Sequence, residues 1–267
     1  MSGWHRTKCA TIARVAVSDA LPRVRREVLL VLAVSLGQSA AYSLVYLIAK
    51  LTEPRRLAEQ TTALNVSQAP GRPWLDLSLQ LLGILFTVVP ALLAVHLLAV
   101  RGPVRPTLGL EWPGRRVWSD LGLGAGLAAV IGIPGLGLYL AAVALGVNTQ
   151  ITTANLPSVW WQVPVLILNA AANGVLEEIV VVGYLVTRLS DIGWRPWQVV
   201  AASSLMRGAY HLYQGFGGFV GNAIMGVVFA LLFLRTRRVG PLIIAHTLLD
   251  VVAYLGYLWL HDSVSWL

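Results

Sequence analysis

Six ionisable side chains fall inside three otherwise apolar segments: Glu177 and Glu178 in VLEEIVVVGYL, Arg207 and His211 in LMRGAYHLYQG, and His246 and Asp250 in AHTLLD. Charge at the centre of a bilayer costs about 2.5–3.5 kcal/mol per residue on insertion scales, so such placement calls for a reason. Arg207 and His211 are four apart and share a helix face, as do His246 and Asp250. Glu177 and Glu178 are neighbours, about 100° apart around a helix, and on that spacing cannot both enter one small cavity. One is expected to face a site while the other pairs elsewhere. Asn173, one turn before Glu177, and Tyr184, two turns after it, could line the same groove. Two carboxylate positions and two histidines suit hydrolysis by general acid–base chemistry. The same groups could bind zinc, relay protons in a carrier, or simply pair with one another to hold a bundle together. Six groups on three helices exceed what packing alone needs.

The elements that must position these groups are membrane helices. The 267-residue chain is 57% hydrophobic and 12% charged, about half the charged share of an ordinary soluble domain. A soluble core and a disordered chain are excluded by that balance, and the long continuous apolar runs do not alternate as barrel strands do. Spans of about 20 apolar residues are expected at 27–49, 77–100, 119–146, 159–187, 197–213, 219–234 and 239–260. The expected fold is an all-α polytopic transmembrane helix bundle of seven to eight spans, with a basic cytoplasmic N-terminal segment at 1–26 and a single membrane domain at 27–267.

Lys and Arg number 20 against 12 Asp and Glu, and the basic residues cluster between apolar runs. This reads as orientation rather than nucleic-acid binding. Fifteen fall on the side of the N-terminus and four on the other, which places the N-terminus in the cytoplasm of a multi-pass plasma-membrane protein. The 50–76 stretch, with Pro54, Pro70, Gly71 and Pro73, reads as an external loop. Pro90 and Pro134 suggest kinks in the second and third spans, His96 an interfacial polar group, and Cys9 a free thiol. Arg-over-Lys usage fits a bacterium with a GC-rich genome.

The three motifs resemble those of the CAAX prenyl protease family, also called the CPBP or Abi intramembrane proteases, whose pattern is EExxxR, then FxxxH, then HxxxN or HxxxD on successive late helices. Glu177 and Glu178 match the first, His211 the second, and His246 with Asp250 the third, over about residues 160–260. Two departures come as a pair. The first motif's Arg position is Val182, and the second motif's Phe position is Arg207. Arg207 is expected to supply from the fifth span the guanidinium that Val182 cannot, pairing with the glutamate not used for chemistry. The alternative is a non-catalytic relative that keeps the fold.

The resemblance implies an intramembrane endopeptidase, a hydrolase that cleaves a membrane-associated or lipidated peptide with glutamate- and histidine-activated water. Glu177 would be the base, His211 would orient the water or share its proton, and His246 would stabilise the oxyanion. Asp250 could orient His246 through its ring N–H. Arg207 and Asn173 are supporting residues. No metal is expected to be required, and no HExxH occurs. A metalloendopeptidase reading would place zinc on Glu177, His211 and His246. The expected partners are the bilayer and the peptide substrate, with no nucleic acid. A rise of 1.5 Å per residue puts Glu178 ~15 Å and His246 ~10 Å from the cytoplasmic end of their spans but His211 ~21 Å, so the fifth helix must tilt or start later for the groups to meet.

Overall fold

The computed structural model describes residues 21–110 and 115–263, so Cys9 and most of the basic N-terminal segment lie outside the described residues. In chain order the helices are α1 (Leu21–Ala33), α2 (Leu36–Leu51), α3 (Pro73–Ala99), α4 (Val104–Leu108), α5 (Arg115–Ala144), α6 (Gln162–Glu177), α7 (Leu185–Asp191), α8 (Pro196–Ala209), α9 (Phe216–Thr236) and α10 (Gly240–Leu260). A π-helical stretch, Glu178–Tyr184, joins α6 to α7. Long helices are what an apolar chain must form, because in lipid each backbone N–H and C=O has to find its partner within the chain.

Among the described residues, five helices, Pro73–Ala99, Arg116–Ala144, Gln162–Asp191, Phe216–Thr236 and Gly240–Leu260, are long and apolar enough to cross a membrane. The pair α1–α2, bent by 53°, makes a sixth if it is counted as one span. The expected count of seven to eight is therefore not reached on length and composition. The difference lies in the fifth expected span, at 197–213: α8 has only 14 residues, or about 21 Å of helix against a hydrocarbon core of about 30 Å. α1 also starts at Leu21, inside the stretch expected to be a polar N-terminal segment.

The first span is broken between α1 and α2, not at a proline. Pro90 and Pro134 sit inside continuous helices, whereas α1 and α2 part at Ser35, whose backbone is non-helical. The Ser35 hydroxyl donates to the Val31 carbonyl at 2.5 Å and so satisfies one of the groups the break exposes. Gly37 makes the bend possible: a Cβ there would lie 2.6 Å from the Leu32 carbonyl oxygen.

The loop after α2 is more ordered than a plain external loop. Its strand β1 (Thr61–Ala63) pairs in parallel with β2 (Gln150–Thr152), Thr61 opposite Gln150 and Ala63 opposite Thr152. This small ribbon is the one departure from an all-α chain among the described residues. The turn after α8 joins the same end, since Phe216 N–H donates to the Val147 carbonyl at 2.9 Å and Asn148 bridges Gly215.

The chain segment that carries Glu177 and Glu178 is the centre of the bundle. The most apolar stretch of Gln162–Asp191 is 61% buried, against 6–28% for the other four long helices. α6 packs on α3 and α10, and α8 packs on α9. The contact of α6 with α10 depends on Gly174, where a Cβ would lie 2.7 Å from Thr247 Oγ1. That close approach, three residues before Glu177, brings His246 of α10 within reach of the two glutamates.

Candidate active site

Three elements deliver the polar groups: the junction of α6 with the π-helical stretch, the end of α8 with the turn after it, and the first half of α10. Glu178 is fully buried. Its Oε1 accepts from Arg207 Nη2 at 2.6 Å and faces His246 Nδ1 at 2.7 Å. Glu177 retains 9% exposure. Its Oε2 accepts from the Tyr210 hydroxyl at 2.7 Å and from Arg207 Nη1 at 3.3 Å, and lies 3.8 Å from His246 Nε2. Glu177 Oε1 makes no hydrogen bond among the described residues and is not one of the sealed side-chain atoms. One glutamate is thus locked, and the other has an oxygen free for a reacting molecule.

Arg207 is itself fully buried, with its guanidinium 5.4 Å from the Phe229 ring centre. Val182 is a fully buried apolar core residue, and Arg207 reaches from α8 to both glutamates, not only to the one expected to be unused for chemistry. The expectation that Glu177 and Glu178 diverge is corrected. Both carboxylates bond the one guanidinium, because two flexible side chains about 100° apart at their Cα atoms converge on the two prongs of a rigid planar fork.

Asp250 is also corrected. The group that takes the His246 Nδ1 hydrogen is Glu178, while Asp250 Oδ2 lies 3.8 Å from Nε2. Asp250 accepts from the Tyr254 hydroxyl at 3.2 Å, and Asn173 Nδ2 donates to that hydroxyl at 3.3 Å. Asn173 thus lies against the Asp250–Tyr254 pair. Tyr184 does not line it: its hydroxyl donates to Glu27 Oε1 at 2.9 Å, beside Arg188. The intervening π-helical turns add residues per turn and rotate Tyr184 out of phase with Glu177.

His211 lies just beyond the end of α8, in the turn. Its Nδ1 is 3.0 Å from the Arg207 carbonyl oxygen, and its ring lies 4.8 Å from that of Tyr210. It stands within electrostatic reach of Glu177 and His246. Neither a carbonyl nor a carboxylate can donate, so the hydrogen bonds at both histidines put a proton on Nδ1. That leaves the Nε2 lone pair of neutral His211 free to accept a proton.

The ligand-capable atoms of Glu177, Glu178 and His246 all lie within 4.8 Å of one another. His211 is outside that triplet. Two residues were missed from sequence, Tyr210 and Tyr254. Each had a usable signal: Tyr210 is three residues after Arg207, and Tyr254 four after Asp250, so both share a helix face with a charged residue.

Residues 159–252 match the model of a family described as Rce1-like, the type II CAAX prenyl endopeptidases. No curated protein and no solved structure matches the chain. The matched stretch includes all six ionisable residues that meet at the centre of the bundle and excludes α1 to α5. Over residues 159–252 the chain is therefore similar to the Rce1-like type II CAAX prenyl endopeptidases.

Proposed function

We propose that the protein is an intramembrane endopeptidase that hydrolyses a membrane-associated or lipidated peptide with glutamate-activated water. The observation that carries this reading is the unequal treatment of the two glutamates. Glu178 is sealed, its Oε1 held by Arg207 and His246 and its Oε2 buried without a partner, whereas the unbonded oxygen of Glu177 is not sealed. A purely structural cluster has no need of that asymmetry.

In the proposed reaction Glu177 takes a proton from water, with His211 Nε2 orienting the water or sharing its proton, and the hydroxide adds to the scissile carbonyl carbon. His246 in its imidazolium form donates from Nδ1 to Glu178 and from Nε2 to the oxyanion. Collapse of the tetrahedral intermediate breaks the C–N bond, and protonated Glu177 returns its proton to the leaving amine. The products are a carboxylic acid and an amine, and Glu177 ends ionised as it began. Arg207 holds both carboxylates, and Asp250, supported by Tyr254 and Asn173, provides negative charge beside His246.

The donor set does not suit a resident zinc ion. Arg207 already supplies positive charge to both glutamates, and Glu178 Oε1 is shared between Arg207 and His246. A divalent cation among Glu177, Glu178 and His246 would sit beside a buried guanidinium. No step in the proposed mechanism passes through a metal.

The excess of Lys and Arg on one side supports a cytoplasmic N-terminus in a bacterial plasma membrane. A second reading, a non-catalytic scaffold or immunity-type relative of the same fold, is favoured by one observation, the pairing of Arg207 with Glu177 as well as Glu178. The two readings separate in one assay. The purified protein is incubated in detergent with libraries of membrane-embedded and lipidated peptides, with Glu177→Gln and a chelator as parallel arms. The protease reading expects cleavage that is lost in Glu177→Gln and unaffected by the chelator. Absence of cleavage by folded protein would establish the scaffold.

A further inference from the structure

A cavity of about 500 Å³ opens between the bent first span and Thr87 and Pro90 of α3, and it reaches Leu176 and Tyr210. Its size is within the range of binding pockets. Two of its lining residues adjoin the candidate active site: Leu176 precedes Glu177 in the chain, and the Tyr210 hydroxyl donates to Glu177 Oε2. The wall supplied by the first span lies outside the matched residues 159–252 and is chemically unusual for a membrane helix. Ser35, Gln38, Ser39, Tyr42, Ser43 and Tyr46 all line it. Their spacing of three, four, seven, eight and eleven residues from Ser35 puts all six on one helix face. The residues between them include Leu36, Leu44 and Val45.

Most of this polar face is uncommitted. The Ser35 hydroxyl is used at the helix break, and the Ser43 hydroxyl donates to the Tyr210 carbonyl at 2.8 Å, fastening the wall to the site. Gln38, Ser39, Tyr42 and Tyr46 are exposed and make no side-chain hydrogen bond among the described residues. Polar groups facing hydrocarbon without partners are costly, so an unpaired polar stripe in a membrane helix points to an occupant that brings partners.

Hydrolysis of a membrane-spanning peptide would supply such an occupant. A membrane-spanning helix holds its carbonyls in internal hydrogen bonds, and attack on one of them needs a few residues to unwind. Those residues then present backbone N–H and C=O groups that the bilayer cannot satisfy. We propose that this cleft is the substrate groove of the Glu177 site, and that the stripe on α2 binds the unwound, extended backbone of a membrane-embedded peptide and leads it past Tyr210 to Glu177. The inference rests on the protease reading and adds to it the substrate class. The stripe is about 16 Å long, enough to pair with about five extended residues.

Binding can be tested without cleavage. The full chain carrying Glu177→Gln is placed in lipid nanodiscs and titrated with a fluorescein-labelled Leu/Ala-rich peptide of about 20 residues whose helix is broken by a central Gly-Pro pair. The same peptide without the break and a soluble farnesylated peptide serve as comparisons. Expected is tighter binding of the broken peptide than of the unbroken one. The combined changes Gln38→Leu, Ser39→Ala and Tyr42→Phe are expected to weaken binding of the broken peptide at least about tenfold, the size of one or two lost hydrogen bonds. Ser39→Trp, which fills the groove, should weaken it likewise, and a melting curve for each variant reports folding. Equal binding of broken and unbroken peptides overturns the proposal, as does binding indifferent to both sets of changes, or a loss confined to the farnesylated peptide. Failure of the wild-type protein to cleave any peptide would overturn the protease reading alone, because the binding result does not depend on it.

Discussion

Arg207 Nη2 lies 2.6 Å from Glu178 Oε1 with both side chains fully buried, and this contact ties α8 to the central helix. Sequestering two such charges is tolerable only while each has the other, because a single buried charge without its partner is far more costly than the pair. Arg207→Leu is expected to destabilise the protein by about 3–5 kcal/mol, read as a large fall in melting temperature in detergent. The double variant Arg207→Leu with Glu178→Gln should recover part of that loss. Equal melting of single and double variants would show the two side chains to be uncoupled.

Glu177→Gln keeps the shape of the side chain and leaves Glu178 to Arg207 and His246, so folding should be preserved. General-base catalysis is worth typically 10²–10⁴-fold, and cleavage should fall by about that much. Cleavage at the wild-type rate would remove Glu177 from the mechanism.

Tyr210→Phe removes one hydrogen bond to a carboxylate, of a kind worth about 1.5–3 kcal/mol, and keeps the ring that lines the groove. The expected result is a drop of at least about tenfold in kcat/KM, with the protein still folded. Unchanged kcat/KM would mean that Glu177 is held well enough by Arg207 alone.

Gly174→Val places side-chain atoms where even a Cβ would come within 2.7 Å of Thr247 Oγ1. α10 must then move away from α6, carrying His246 from Glu178. Loss of activity is expected together with overpacking of about 1–3 kcal/mol, measured as a lowered melting temperature. Retained activity would show that His246 need not be held at its 2.7 Å contact.

Chelator treatment followed by metal analysis is expected to leave cleavage unchanged and to recover no stoichiometric zinc. A chelator-sensitive activity restored by added zinc would require Arg207 to leave the glutamates, and a structure of that form would show it.

Much of the site was legible because charge inside an apolar helix is rare and its spacing is fixed by the helix. Glu177, Glu178, Arg207, His246 and Asp250 were marked that way, and the substitution at Val182 pointed to Arg207 as the replacement guanidinium. Tyr184 was misplaced because a π-helical stretch leaves no signature in an apolar run, and it changes the phase of everything after it. The polar stripe of α2 passed unnoticed because hydroxyls and an amide carry no charge. The apolar stretch at 197–213 is longer than the helix it forms, because α8 stops at Ala209.

What the sequence by itself determined was the membrane-helical class, the region where the ionisable groups gather and the types of those groups, since these follow from composition and helical period. The tertiary structure alone decided which glutamate is sealed and which is open, that Glu178 rather than Asp250 takes the His246 proton, and that Tyr210 joins Glu177 to a groove built by the first span. Those outcomes depend on distances between helices far apart in the chain. Contacts such as Gly174 against Thr247 set such distances, and no local pattern of residues encodes them.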